Sequence, residues 1–88
     1  MGEVALQYRV LPDDLEVDLD ALLKEIVKTL PEGASLKTSE KKPVAFGLNA
    51  LHVLIVIEDK EGGAEQVESA LAGVPGVQSV EIVQMGLL

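Results

Sequence analysis

The chain contains no cysteine and no tryptophan, and only one tyrosine, one phenylalanine and one histidine. Without cysteine there is neither a disulfide nor a thiolate zinc site, so no covalent or metal staple is expected. Small secreted domains are usually rich in disulfides, which makes the cytoplasm the expected compartment. The lone histidine, His52, has no second histidine or cysteine with which to complete a metal-ligand set, so neither a metal nor a cofactor is expected. Arginine is equally scarce. Arg9 stands alone, although bidentate phosphate recognition leans on that side chain. Seven basic residues against fifteen acidic ones leave a net charge of −8. Such a field repels phosphate backbones and anionic lipid and favours a partner with a basic patch. Nucleic acid and membrane are therefore not expected partners. The longest apolar stretch, residues 51–57, is interrupted by His52 and too short to span a bilayer. The first ten residues lack the basic start and apolar run of a signal peptide.

What is present suffices for a fold. At 48% hydrophobic over 88 residues, the chain should form one domain, 1–88, rather than remain disordered. In residues 3–11, Val4, Leu6, Tyr8 and Val10 alternate with Gln7 and Arg9, the period of a strand with one buried face. Pro12-Asp13-Asp14 ends it. From Asp18 the period changes: Leu19, Leu22, Leu23, Ile26 and Leu30 form one helical stripe. Asp18 suits the N-cap, Asp20 and Lys24 an i,i+4 pair, and Pro31 and Gly33 the stop. Residues 35–44 are polar and lysine-rich, as befits a solvated sheet edge. Pro43-Val44-Ala45-Phe46-Gly47 is expected as the connection to a strand over 48–59. That strand carries apolar residues on both faces, Leu51, Val53, Ile55 and Ile57 against Leu54 and Val56, which marks it as central. Glu61-Gly62-Gly63 breaks it. A second helix over 64–72 ends at Gly73, Pro75-Gly76 turns the chain, and a last strand runs over 77–85.

The order strand, helix, strand, strand, helix, strand predicts an α+β, ferredoxin-like βαββαβ sandwich: a four-stranded antiparallel sheet with both helices on one face. Many functions share that architecture, so function must come from particular residues.

Candidate chemistry is sparse. Asp13-Asp14 and Glu58-Asp59 are acidic pairs at strand ends, where solvated turn residues are the ordinary finding, and no general acid is assigned to them. Gly62-Gly63 lacks the lysine and hydroxyl of a phosphate-binding loop. Tyr8 and Phe46 are too few aromatics for an RNA-stacking sheet. No catalytic residue is therefore assigned. Two features stay open. Phe46 either packs into the core from a loop or anchors a partner. The apolar tail Met85-Gly86-Leu87-Leu88 either closes the sheet or presents an apolar surface.

Over nearly the whole chain, with motifs in order and spacing over about 75 residues, the sequence resembles the guanine-nucleotide-exchange domain of translation elongation factor 1-beta in its short archaeal form. The resemblance rests on Pro12-Asp13-Asp14, on Pro43-Val44-Ala45-Phe46-Gly47-Leu48, on Val56-Ile57-Glu58-Asp59 and on Val77-Gln78-Ser79-Val80-Glu81-Ile82, in that order and spacing. It implies a monomer that promotes GDP release from the GTPase elongation factor 1-alpha, meeting it both GDP-bound and nucleotide-free. It further implies that Pro43, Phe46 and Gly47 form one contact, with Phe46 in an apolar pocket. Met85, Gly86, Leu87 and Leu88 would form a second contact near the magnesium site. Eukaryotic members place a lysine where Leu87 stands here, so bulk from Met85, Leu87 and Leu88 is expected to replace charge in displacing the switch region. The alternative of the same topology is an ACT-like regulatory module that binds a small molecule, suggested by the turn Val74-Pro75-Gly76-Val77.

Overall fold

The computed structural model describes residues 2–14, 16–45, 47–58 and 62–87. Six elements follow in the expected order: β1 (Glu3–Pro12), α1 (Leu19–Thr29), β2 (Ser35–Ala45), β3 (Leu48–Glu58), α2 (Gly63–Ala72) and β4 (Val77–Leu87). The sheet order is β2-β3-β1-β4, with β1 paired antiparallel to β3 and β4, and β2 antiparallel to β3. This is the ferredoxin-like arrangement. β3 is central, as its two apolar faces require, and lysine-bearing β2 is an edge. Among the described residues, no helix is long and apolar enough to cross a membrane.

Both helices cover one face of the sheet. Val4, Leu6, Tyr8 and Val10 of β1 meet Leu51, Val53, Ile55 and Ile57 of β3, and Leu22, Ile26, Val67 and Leu71 close over them. Each such aliphatic side chain contributes roughly 1.5–3 kcal/mol by leaving water. α1 starts where Asp18 accepts a hydrogen bond from the Asp20 amide, and it ends where the Leu30 amide donates to Ile26. α2 has only Gly62 as its N-cap, with no side-chain hydrogen bond. The Tyr8 hydroxyl crosses the core and donates to the Ala64 carbonyl at 3.2 Å, tying β1 to the first turn of α2.

Three details differ from the expectation. Pro43 to Gly47 is not a free connection: β2 continues to Ala45, with Pro43 opposite Asn49 and Ala45 opposite Leu48. Backbone pairing with β3 extends the strand past a proline, which an edge position tolerates. Asp20 does not pair with Lys24. It meets Lys41 on β2 at 2.8 Å, and that ammonium holds its carboxyl below the ordinary range. β4 runs two residues beyond Met85, so Gly86 and Leu87 belong to the sheet. Phe46, Asp59, Glu61 and Leu88 lie outside the described residues.

Candidate functional site

The direction of the strands decides where the candidate contacts lie. β1 runs from Val4, opposite Ile57 and Leu87, to Pro12, opposite Val77. β2 and β3 meet at the Ala45–Leu48 end. The Pro43–Gly47 segment therefore shares one end of the sheet with Pro12-Asp13-Asp14, whereas Met85, Gly86 and Leu87 lie at the other. The candidate contacts do not converge on one pocket. Along the strands the two levels are about 26 Å apart, in a molecule measuring 42 × 20 × 17 Å.

At the first end, motifs distant in sequence come together. Pro12 and Asp14 line a small cleft with Gly47, Leu48 and Asn49. The Asp13 amide donates to the Gly76 carbonyl at 2.9 Å, which fixes the exit of β1 against the entry of β4. Gly47 has a φ of 80°, in the left-handed region where glycine is favoured. Pro43 and Val44 are exposed beside it. Phe46, the expected anchor, falls between described residues.

At the second end the strand carries an irregularity that the sequence does not announce. Gln7 is opposite Gln84 but Tyr8 is opposite Ile82, so Val83 is an extra residue in β4. A one-residue bulge reverses the faces of everything beyond it. Met85 and Leu87 consequently stand opposite Leu6 and Val4, on the face that the helices cover elsewhere. Here they do not cover it. Val77 and Val80, in the first part of β4, pack against the core, but Ile82 and Val83 are 50% and 51% exposed, Met85 60% and Leu87 74%. An apolar face of the core thus continues past its helical cover, on an edge strand whose only charge, Glu81, is ion-paired with Arg9. The opposite edge, β2, is guarded by Lys37, Glu40, Lys41 and Lys42. Nearby, Glu3 and Glu58 are directly opposed and exposed, making this end acidic.

The face without helices is crossed by a polar row: Glu40, His52, Arg9 and Glu81 are successive partners on β2, β3, β1 and β4. His52 Nδ1 and Arg9 Nε are buried without a hydrogen-bond partner. Burial first, then the Lys42 and Arg9 charges, lower the His52 pKa, against a smaller opposing effect of Glu40. A neutral imidazole suits this row, since a second cation beside Arg9 would be repelled. Among the described residues no group of three or more acidic, histidine or cysteine side chains could hold a metal ion.

Comparison with known proteins bears on this arrangement. Residues 5–88 match the protein-family model described as the EF-1 guanine nucleotide exchange domain. The chain is 49% identical over 86 residues to elongation factor 1-beta of Methanococcoides burtonii, covering 98% of this chain and 97% of that one. It is 44% identical over 85 residues to elongation factor 1-beta of Methanothermobacter thermautotrophicus, covering 97% and 96%. With that of Haloarcula marismortui it shares 44% identity over 88 residues, all of both chains. Among solved structures, the C-terminal domain of the MgtC protein from Mycobacterium tuberculosis superposes with a TM-score of 0.60 at 17% identity, over 99% of this chain and 89% of that one. That likeness is one of fold alone.

Proposed function

Because the chain belongs to the EF-1 guanine nucleotide exchange domain family, whose role is nucleotide exchange on a GTPase in translation elongation, we propose that its own partner is elongation factor 1-alpha. In this reading residues 1–88 form one exchange domain that works in the cytoplasm, is a monomer when free, and uses no cofactor and no catalytic group of its own. The observation that carries the reading is the two-ended layout: an uncovered apolar strand end at Met85–Leu87, and the Pro43–Gly47 segment about 26 Å away along the strands.

An exchange factor need only bind the nucleotide-free GTPase better than the nucleotide-bound one. If its binding weakens GDP about a thousandfold, GDP weakens its binding equally, a coupling of about 4 kcal/mol. A two-ended binder can generate that coupling mechanically. Pro43, Phe46 and Gly47 hold one surface of the GTPase. Met85, Gly86, Leu87 and Leu88 press on another, beside the nucleotide's magnesium. Leu87 stands where the eukaryotic members of the family carry a lysine, so displacement here comes from apolar bulk rather than from a competing charge. The acidic rim of Glu3 and Glu58 favours a basic surface on the GTPase.

The two ends have separable roles, and exchange kinetics over a range of factor concentrations test them. Phe46→Ala is expected to raise the half-saturating concentration, by roughly 2 kcal/mol of binding if the ring is a hot spot. Replacing Leu87 and Leu88 together by alanine is expected to lower the maximal rate of GDP release and leave affinity nearly intact. Equal effects of both variants on both parameters would refute the division.

A further inference from the structure

Ala5, Gln7, Leu54, Gln84 and Gly86, on the face of the sheet without helices, together with Leu87 at the strand end, line an open concavity of ≈290 Å³. The strand register explains its shape. Ala5 pairs with Gly86, so two small residues form the floor, and Gln7 pairs with Gln84, so two side-chain amides stand together beside it. Leu54 closes it from β3, opposite Gln7. The bulge at Val83 creates this set, because an unbroken alternation would turn Gln84 and Gly86 to the helix-covered face.

None of the six lining residues is charged, in a chain whose net charge is −8. A phosphate or carboxylate would therefore find no cation there, and a basic group no carboxylate. The volume lies at the lower end for small-molecule pockets, room for one side chain and its flanking peptide groups. Apolar walls suit an aliphatic or aromatic group. Each glutamine amide can donate to a peptide carbonyl and accept from a peptide N–H. Gly86 and Leu87 both line the concavity and both belong to the strand end that faces the GTPase in the functional reading above. We infer that this concavity receives a neutral, apolar side chain from an extended segment of the partner GTPase, with Gln7 and Gln84 hydrogen-bonding its peptide groups. The inference rests on the exchange reading and adds a binding subsite to it.

Gly86 offers a clean test. A Cβ built there meets nothing within 4 Å, and its φ lies outside the left-handed region, so Gly86→Val fills the concavity without disturbing the strand. The affinity of the chain for the nucleotide-free GTPase is measured alongside its circular dichroism and thermal melt. Gly86 is on the face opposite to the Leu87 side chain, so this subsite contributes affinity while Leu87 and Leu88 act on the release rate. Gly86→Val is expected to keep the wild-type fold and bind about thirtyfold more weakly, the loss typical of a hot spot, with Gly86→Ala in between. A folded Gly86→Val that binds and exchanges like wild type would overturn the inference and leave the exchange reading standing. If Gly86→Val does not fold, the double variant Gln7→Ala/Gln84→Ala decides, unchanged affinity overturning the inference and weakened affinity supporting it. A wild-type chain that fails to bind an active GTPase would instead overturn the exchange reading, and the inference with it. Perturbation of the Gly86 and Gln84 amide resonances by free leucine, in the absence of GTPase, would assign the concavity to a small ligand and also overturn the inference.

Discussion

Tyr8 shows how much one side chain can hold. It is fully buried and its hydroxyl donates to the Ala64 carbonyl, which ties β1 to the first turn of α2. Tyr8→Phe is expected to cost about 1 kcal/mol, a fall in melting temperature of about 5 °C for a domain of this size. Burial, and then the charge of Glu68, raise the phenol's pKa above its ordinary 10.0. The folded state thus retains a proton that the unfolded state loses, and stability should decline as pH rises beyond about 10. As the sole tyrosine in a chain without tryptophan, its phenolate absorbance can be titrated without interference; a titration at the ordinary value in the folded protein would contradict the burial. His52 acts in the opposite pH range. Its pKa is lowered from 6.5 by burial and by Lys42 and Arg9, so the unfolded chain binds a proton that the folded one declines. Stability contributed by this group is complete above pH 6.5 and falls as the pH drops below it. His52→Asn should flatten that part of the stability profile relative to wild type, and parallel profiles for the two proteins would count against the assignment.

Among the elements, α1 is legible from sequence because its signals agree: the stripe from Leu19 to Ile26, the Asp18 cap and the stop after Leu30 all recur in the structure. Asp18→Ala should cost about 1 kcal/mol, read from a chemical denaturation midpoint. β3 is readable as central because apolar residues stand on both of its faces, although helices cover only one and Leu54 on the other is half-buried. Other features depend on pairing partners that no local pattern contains. The Val83 bulge is a property of β4 against β1, and it alone decides that Met85 and Leu87 continue the core's face while Gly86 turns away. Lys41 reaches Asp20 only because β2 folds back beside α1. Pro43 reads as a break until β3 is there to pair with its neighbours. Gly76 shows a readable turn with an unreadable neighbour. Its φ of 94° is expected of Pro75-Gly76, but a Cβ there would lie 3.6 Å from Val17 and 3.7 Å from Leu22. Gly76→Ala should therefore cost roughly 1–2 kcal/mol, mainly from the left-handed backbone. A melting temperature equal to wild type would show that the turn relaxes instead.

At the scale of the whole molecule, the two candidate contacts lie at opposite ends of the sheet. A domain 42 Å long can bear on two surfaces of a larger partner, and the energy of holding one end can offset the cost of disturbing what lies at the other. The uncovered strand end fits a binding role better than a stability role. Leu87 is 74% exposed, so its loss to alanine should change stability by no more than about 0.5 kcal/mol while impairing exchange. Its place is legible only in part: the apolar tail stands out in the sequence, but closing the sheet and presenting an apolar surface are compatible outcomes. The tail joins β4 through its backbone and leaves Met85 and Leu87 exposed. The most direct measurement is the release of labelled GDP from elongation factor 1-alpha of the same source, with and without a saturating amount of this protein. Acceleration of about a thousandfold is expected, with the weakening of GDP falling on its dissociation rather than on its association. An unchanged rate, with the GTPase shown to bind and exchange nucleotide spontaneously, would contradict it.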